Sequence, residues 1–275
     1  MHIRQMGAGG KTIVLLPGHN LPLPSVELAL LMRDLAQKNT VCIVEYFGYG
    51  HSDPIDTIRT NKNYVQEMRE GLAGAGLVPP YVLMPYSASG IHAEYYAAMH
   101  PEEVAGLILL DATPSVAAVV REWEWTSHDM QELKREMATY VPPTEDDIKE
   151  AIEEDLPGYL KYGYTREELE EIYTTPNHKL TILAQDLSAS DNMRDVMTLH
   201  IPKSIPVFAI YSDLADADDA ERAKWFARRK EHMARLGDHM RHVTIEGSTH
   251  GNITCHPEYR RAVSQEVNTF LLNLY

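Results

Sequence analysis

Apolar residues along this chain fall into two recurring patterns. Short runs rich in Val, Ile and Leu cover 12–16, 41–46, 81–84, 106–110, 207–211 and 242–246. Most are nearly continuous in apolar character, as strands covered on both faces of a parallel sheet must be. Helix-length segments separate the first four runs, at 25–38, 61–75 and 90–99. After the last run, Val263, Val267, Phe270 and Leu271 recur at helical spacing across 257–273. Strands alternating with helices predict an α/β protein with a mostly parallel, doubly wound sheet.

The alternation stops between 115 and 202. That interval has no strand-like run and holds helical patterns interrupted at Pro142-Pro143, Pro157-Gly158 and Pro176. It predicts a helical lid (cap) inserted between two parts of one core, 1–114 and 203–275. Internal repeats and low-complexity tracts are absent.

Charge narrows the partners. The chain has 25 Lys and Arg against 40 Asp and Glu, a formal net charge of −15. Binders of nucleic acid neutralise phosphates with clustered cations, so this balance argues against nucleic acid, and equally against an anionic membrane surface. Residues 143–171 hold eleven acids and three bases, which read as solvated helix faces. The first residues lack the charged and apolar regions of a signal peptide, and no run approaches the roughly 20 apolar residues of a membrane span. A soluble, cytoplasmic protein without membrane insertion is expected; the sequence does not set its oligomeric state.

Two cysteines, Cys42 and Cys255, cannot build a disulfide framework or a thiolate metal site. Cys42 sits in an apolar run and reads as a buried thiol. Gly9-Gly10-Lys11-Thr12 resembles the end of a phosphate-binding loop, but Gln5 occupies the position of its first glycine and the stretch leads into a strand, not a helix. His232, His239 and His242 lack the carboxylate or cysteine spacing of a metal site, and His256 reads as a surface residue. No cofactor or metal is expected.

The chemistry gathers where the predicted strands end. The run 81–84 leads into Pro85-Tyr86-Ser87-Ala88-Ser89-Gly90 and then a helix, a turn that would hold Ser87 out at the carboxyl end of the sheet. Leu15-Leu16-Pro17-Gly18-His19-Asn20 is a strand ending in a glycine turn, where a backbone N–H could face an oxyanion. Gly48-Tyr49-Gly50-His51-Ser52-Asp53 follows the next strand. His100-Pro101 follows Ser87, Asp111 ends the strand after it, and Gly247-Ser248-Thr249-His250 follows the last strand.

This set, in this order, resembles the α/β-hydrolase superfamily, in particular its lidded serine esterase and haloperoxidase-like branch. The resemblance covers nearly everything outside 115–202, with one or both of the family's first antiparallel strands missing or reduced. It implies Ser87 as nucleophile, His250 as base, and the N–H groups of His19 and Ala88 as the oxyanion hole. Relatives that open epoxides or remove halides carry Asp at the elbow; serine here implies attack on an acyl carbon and an acyl-enzyme. Pro85 and Ser89 depart from the family's Gly-x-Ser-x-Gly. For the acid, Asp111 is the first choice, Asp213 the alternative and Asp216 a third. Trp123, Trp125 and Tyr140 are candidate pocket walls.

The expected function is a carboxylesterase-like serine hydrolase acting on an ester or thioester of a small, apolar and uncharged acyl substrate. The alternatives are amide or carbon–carbon bond hydrolysis or acyl transfer on the same fold, and a hydrolase-like small-molecule receptor or regulator with little turnover.

Overall fold

The structure, a computed structural model, describes residues 1–55, 57–175, 179–237 and 240–274. His239 and Pro176 lie outside the described residues. Strands β1 (His2–Met6), β2 (Thr12–Leu16), β3 (Thr40–Glu45), β4 (Tyr81–Pro85), β5 (Val104–Leu110), β6 (Val207–Ser212) and β7 (Arg241–Ile245) form one sheet in the order β1-β3-β2-β4-β5-β6-β7. Every pairing is parallel except β1 with β3. The strand β1 is the one that apolar runs do not reveal. His2-Ile3-Arg4-Gln5-Met6 has three polar residues in five and lies at the edge of the sheet, and one antiparallel strand is thus present at the amino end.

Side chains alternate across the sheet and build a core on each face. Val14, Leu16, Cys42, Val44, Leu83 and Leu109 face helices α3 (Asn61–Gly74) and α4 (Gly90–Met99), through Tyr64, Met68, Leu72 and Tyr96. Ile13, Leu15, Ile43, Met84, Leu110 and Ile210 face α2 (Ala29–Leu35) and α11 (Pro257–Leu271), through Leu31, Leu35, Val263 and Val267. The segment 25–38, read as one helix, divides at Leu28 into the single turn α1 (Pro24–Glu27) and α2. Thr12 of the glycine-lysine stretch opens β2, as a strand rather than a nucleotide-binding helix. Cys42 is fully buried, which pushes its thiol up to about 12.

Between β5 and β6 lie α5 (Ala117–Glu122), α6 (Ser127–Thr139), α7 (Glu145–Tyr162), α8 (Arg166–Thr174) and α9 (Lys179–Met197). Thr126, Thr144 and Thr165 each cap one of them through a reciprocal capping box. The break expected at Pro157-Gly158 is not there: α7 runs through it to a left-handed cap at Gly163. Pro157 removes one intrahelical bond, but it sits on an exposed face where water can reach the freed carbonyl of Glu153. Meanwhile Ile152 and Leu156 keep their helical spacing against Leu169 of α8. The acids of 143–171 belong to this exposed pair. The helices α5 and α9 pack on α4 through Val119, Val120, Met193, Val196 and Ile91. After β6, α10 (Asp219–Leu236) precedes β7. Among the described residues, no helix is long and apolar enough to cross a membrane.

Candidate active site

Ser87 follows β4 with a backbone φ of +56°, in the left-handed region that non-glycine residues seldom adopt. Asp111, just past β5, is also left-handed at φ +43°. Strained backbone at two adjacent strand ends is tolerated where the surrounding structure over-determines it. Here the N–H of Thr113 donates to the Ser87 carbonyl at 3.0 Å, and the N–H of Asp111 to Ile210 at 2.7 Å.

Three side chains from three strand ends meet. His250 Nε2 lies 3.0 Å from Ser87 Oγ, and His250 Nδ1 lies 2.6 Å from Asp111 Oδ2. A carboxylate only accepts, so Nδ1 carries the proton and Nε2 offers its lone pair to the serine hydroxyl. The ring of Tyr86 stacks on that of His250 at 5.0 Å, and the Tyr86 hydroxyl donates to the His250 carbonyl at 2.6 Å. Tyr86 thus packs under the histidine and fixes its loop.

Asp111 is buried and held from every side. Its Oδ1 accepts from the Ser212 N–H at 2.8 Å and from Arg229 Nη2 at 2.8 Å; its Oδ2 accepts from His250 and from the Ser212 hydroxyl at 2.8 Å. Burial alone would raise its pKa, but the hydrogen bond and charge of His250, the Arg229 charge and the Ser212 N–H together hold it below the usual carboxylate range. Arg229 is itself buried, bonds the Ser212 carbonyl at 2.7 Å and lies 4.6 Å over the Tyr211 ring.

The other acids lie differently. Asp213 Oδ2 accepts from the Gly247 N–H at 3.1 Å, which ties the turn after β7 to the end of β6. Asp216 lines a cavity beside Ser87, Asp111 and His250. Sequence reasoning missed Arg229 and Ser212. Arg229 sits in a charged stretch of α10 with nothing to distinguish it from its neighbours, and Ser212 reads only as the residue after the run 207–211.

Gly18 is required by close approach: a Cβ there would meet Ser87 Cβ and Tyr86 Cδ1, each at 3.1 Å. The loop carrying His19 is thereby laid against the turn that holds Ser87. The His19 side chain pairs with Asp186 of α9 at 2.9 Å. Burial alone would lower its pKa, but the hydrogen bond and charge of Asp186 and a bond to Gln185 raise it above the ordinary value.

Ser87 opens onto two cavities, of about 610 Å³ and about 390 Å³. Trp123 lines both and Trp125 the larger, whereas Tyr140 lines neither. Of the remaining histidines, His232 is buried against Glu94 at 2.7 Å, His242 is exposed on β7, and His256 is partly buried, stacked on Tyr259 at 4.4 Å. Among the described residues, His2, Glu45 and His51, and separately His100, Glu102 and Glu103, could gather three metal-ligating atoms. Neither group lines the two cavities. In the second, Glu103 is already held by Arg69 and Tyr96.

The chain superposes on solved structures over almost its whole length. A thermophilic esterase from Thermogutta terrifontis matches at a TM-score of 0.64 and 17% identity, covering 99% of this chain and 93% of that one. An enol-lactonase from Burkholderia xenovorans LB400 matches at 0.62 and 16% identity, covering 99% and 96%. The chain has the α/β-hydrolase fold. In sequence, 111 residues are 33% identical to the uncharacterized protein YbdG of Bacillus subtilis (strain 168), covering 40% of this chain and 34% of that protein. The chain thus spans about a third of that relative's length. No family model matches.

Within the α/β-hydrolase fold, crowding between helix and strand asks for small residues around the elbow. Here the crowded position is Gly90, where a Cβ would meet Ala112 Cβ at 2.8 Å. Ser89, one residue earlier, fits because its buried hydroxyl donates to the Pro17 carbonyl and pairs with the Tyr46 hydroxyl at 2.9 Å. Pro85 still aligns with Leu16 in the ladder, and the ladder continues at Tyr86, whose N–H donates to Leu16 at 3.0 Å.

Proposed function

We propose that the chain is a serine hydrolase that cleaves a carboxylic ester or thioester of a small, uncharged acyl compound through an acyl-enzyme. The observation that carries this reading is the line from Ser87 Oγ through the His250 ring to the buried Asp111 carboxylate. Ser87 attacks the acyl carbon while His250 Nε2 takes its proton. Asp111 holds the Nδ1–H and balances the imidazolium that forms. The N–H groups of Ala88 and His19 receive the oxyanion, helped by the positive end of α4, which begins three residues after Ser87. His250 then gives the proton to the leaving alkoxide or thiolate. Water, deprotonated by the same nitrogen, releases the acid and restores Ser87.

In this reading the helices of 115–202 act as a lid over a core formed by 1–114 and 203–275. Residues of α5, α6 and α9 wall the larger cavity and would exclude water during turnover. Six carboxylates line that cavity (Glu122, Glu124, Asp129, Glu132, Glu136 and Asp186), and among the described residues no Lys or Arg does, which disfavours an anionic substrate. These acids lie outside the 143–171 run that dominates the net charge. The esterase and enol-lactonase among the structural neighbours accord with ester chemistry.

The test is labelling by a fluorophosphonate probe together with turnover of p-nitrophenyl acetate and butyrate. Labelling at Ser87 and loss of both activities in Ser87→Ala are expected. An unlabelled protein, or full turnover in Ser87→Ala, overturns the proposal.

A further inference from the structure

The two cavities that meet at Ser87 are chemically unequal. The smaller one contains His250 and Asp111; the larger contains Ala88 and His19 but not His250. A leaving group must lie within reach of the imidazole that protonates it, so the His250 side takes the alcohol or thiol. The acyl chain is left with the larger cavity.

That cavity is not uniformly apolar. His92, on α4, lines it while remaining only 3% exposed. Its ring is stacked on Tyr64 at 3.9 Å, edge-on to Tyr46 at 5.9 Å, and His92 Nδ1 lies 3.0 Å from Asn61 Oδ1. The amide orientation of Asn61 is fixed independently: its Nδ2 donates to the Asn192 backbone carbonyl at 2.8 Å, and its N–H donates to Asn192 Oδ1 at 2.8 Å. Asn192 Nδ2 is in turn committed to the Arg59 carbonyl at 2.7 Å. The oxygen of Asn61 therefore faces His92, and His92 Nδ1 must donate to it. The proton sits on Nδ1, and Nε2 is left with a lone pair and no partner among the described residues. Burial and the nearby Arg59 charge depress the His92 pKa to about 3, so the ring stays neutral at working pH.

We propose that the larger cavity receives the acyl part of the substrate and that this acyl part carries a hydroxyl which donates to His92 Nε2. The inference rests on the serine-hydrolase reading above and names its substrate class: hydroxyacyl esters or thioesters. A plain acyl chain that covers this acceptor leaves it without a hydrogen bond, and a methyl ether cannot repair the loss because it has no proton to give.

The test compares ethyl butyrate and ethyl hexanoate with ethyl 3-hydroxybutyrate and ethyl 6-hydroxyhexanoate, and with the matching methoxy esters, in a pH-stat assay. At least one hydroxyacyl ester should exceed both its parent and its methoxy form about tenfold in kcat/KM, the discrimination expected of one neutral hydrogen bond. In His92→Phe that ratio should fall to one or below, whatever loss is common to all substrates. His92→Gln, which returns a carbonyl acceptor, should recover part of it, with circular dichroism establishing that each variant is folded. Ratios of one or less for every pair in the unmodified protein, or a ratio preserved in folded His92→Phe, overturn the inference while plain-ester turnover leaves the hydrolase reading standing. If no ester is cleaved and Ser87 is not labelled, the hydrolase reading fails and this inference falls with it.

Discussion

Arg229 and Asp111 form a buried ion pair with 2.8 Å between Nη2 and Oδ1, and the same carboxylate bonds His250 through its other oxygen. The two oxygens are thus divided between a permanent cation and a ring that, on the proposed mechanism, gains and loses a proton. Removing one partner of a buried pair costs about 3–5 kcal/mol because the other charge is stranded. Arg229→Met should therefore lower the melting temperature clearly and reduce kcat/KM by about ten- to a hundredfold, as Asp111 loses the contact that fixes it. Arg229→Lys keeps the charge but not the planar fork that also reaches the Ser212 carbonyl, and should fall between the two. Thermal denaturation and ester kinetics on the three proteins check this; equal activity in all three would remove Arg229 from any positioning role.

Asp111 and Asp213 make opposite predictions. Asp111→Asn keeps the shape but removes the charge that favours the Nδ1–H tautomer, and kcat should drop by about 10³–10⁴. Asp213→Asn keeps an amide oxygen that can accept from the Gly247 N–H and loses only the charge, so kcat should stay within a few-fold and stability should change by less than about 1 kcal/mol. A collapse of turnover in the second variant alone would move the acid to Asp213.

His92 predicts a pH dependence of folding. Its folded pKa, about 3, lies below the unfolded value near 6.5, so the neutral ring contributes stability above pH 6.5 that is lost progressively as pH falls toward 3. The slope approaches about 1.4 kcal/mol per pH unit for one group within that window. His19 has the opposite sign, since its raised pKa contributes stability at low pH that is lost as pH rises. The difference between urea-unfolding curves of the unmodified protein and His92→Phe at pH 7 and pH 5 isolates the His92 part. Parallel curves at both values would show that its titration is not linked to folding.

Gly18→Ala should separate activity from stability. The added methyl would sit 3.1 Å from Ser87 Cβ and from the Tyr86 ring, so the loop or the turn at Ser87 must shift by a few tenths of an ångström. Positioning errors of that kind are costly in catalysis. A fall in kcat of about tenfold or more is expected, with a melting temperature changed by only a few degrees. Unchanged kcat would show that the loop is free to retreat.

The sheet was legible where strands are buried on both faces, because such strands leave continuous apolar runs. The edge strand β1 was not, since one of its sides needs no apolar residues. Ser87, Asp111 and His250 could be singled out because each follows a strand, at the carboxyl end of the sheet, in an order that resembles the α/β-hydrolases. The choice among Asp111, Asp213 and Asp216 could not be made from spacing: all three lie at or just past strand ends, and only geometry shows which carboxylate His250 meets. Arg229 and the tautomer of His92 were out of reach for another reason. Both depend on partners more than 30 residues away or on a chain of amide orientations, and neither leaves a local pattern.

The order in which the chain supplies Asp111's partners bears on how the molecule is made. In synthesis from the amino end, Ser87 and Asp111 are in place early, but Ser212, Arg229 and His250 all lie beyond helices α5 to α9. Until β6, α10 and β7 dock, the carboxylate has none of the donors that offset its burial, and its strand end has reason to stay hydrated and open. Ser87 likewise lacks the imidazole that faces it in the complete chain. On the proposed mechanism an incomplete chain holds a hydroxyl that nothing activates, and hydrolytic activity would signal that the last quarter of the protein has been added and seated.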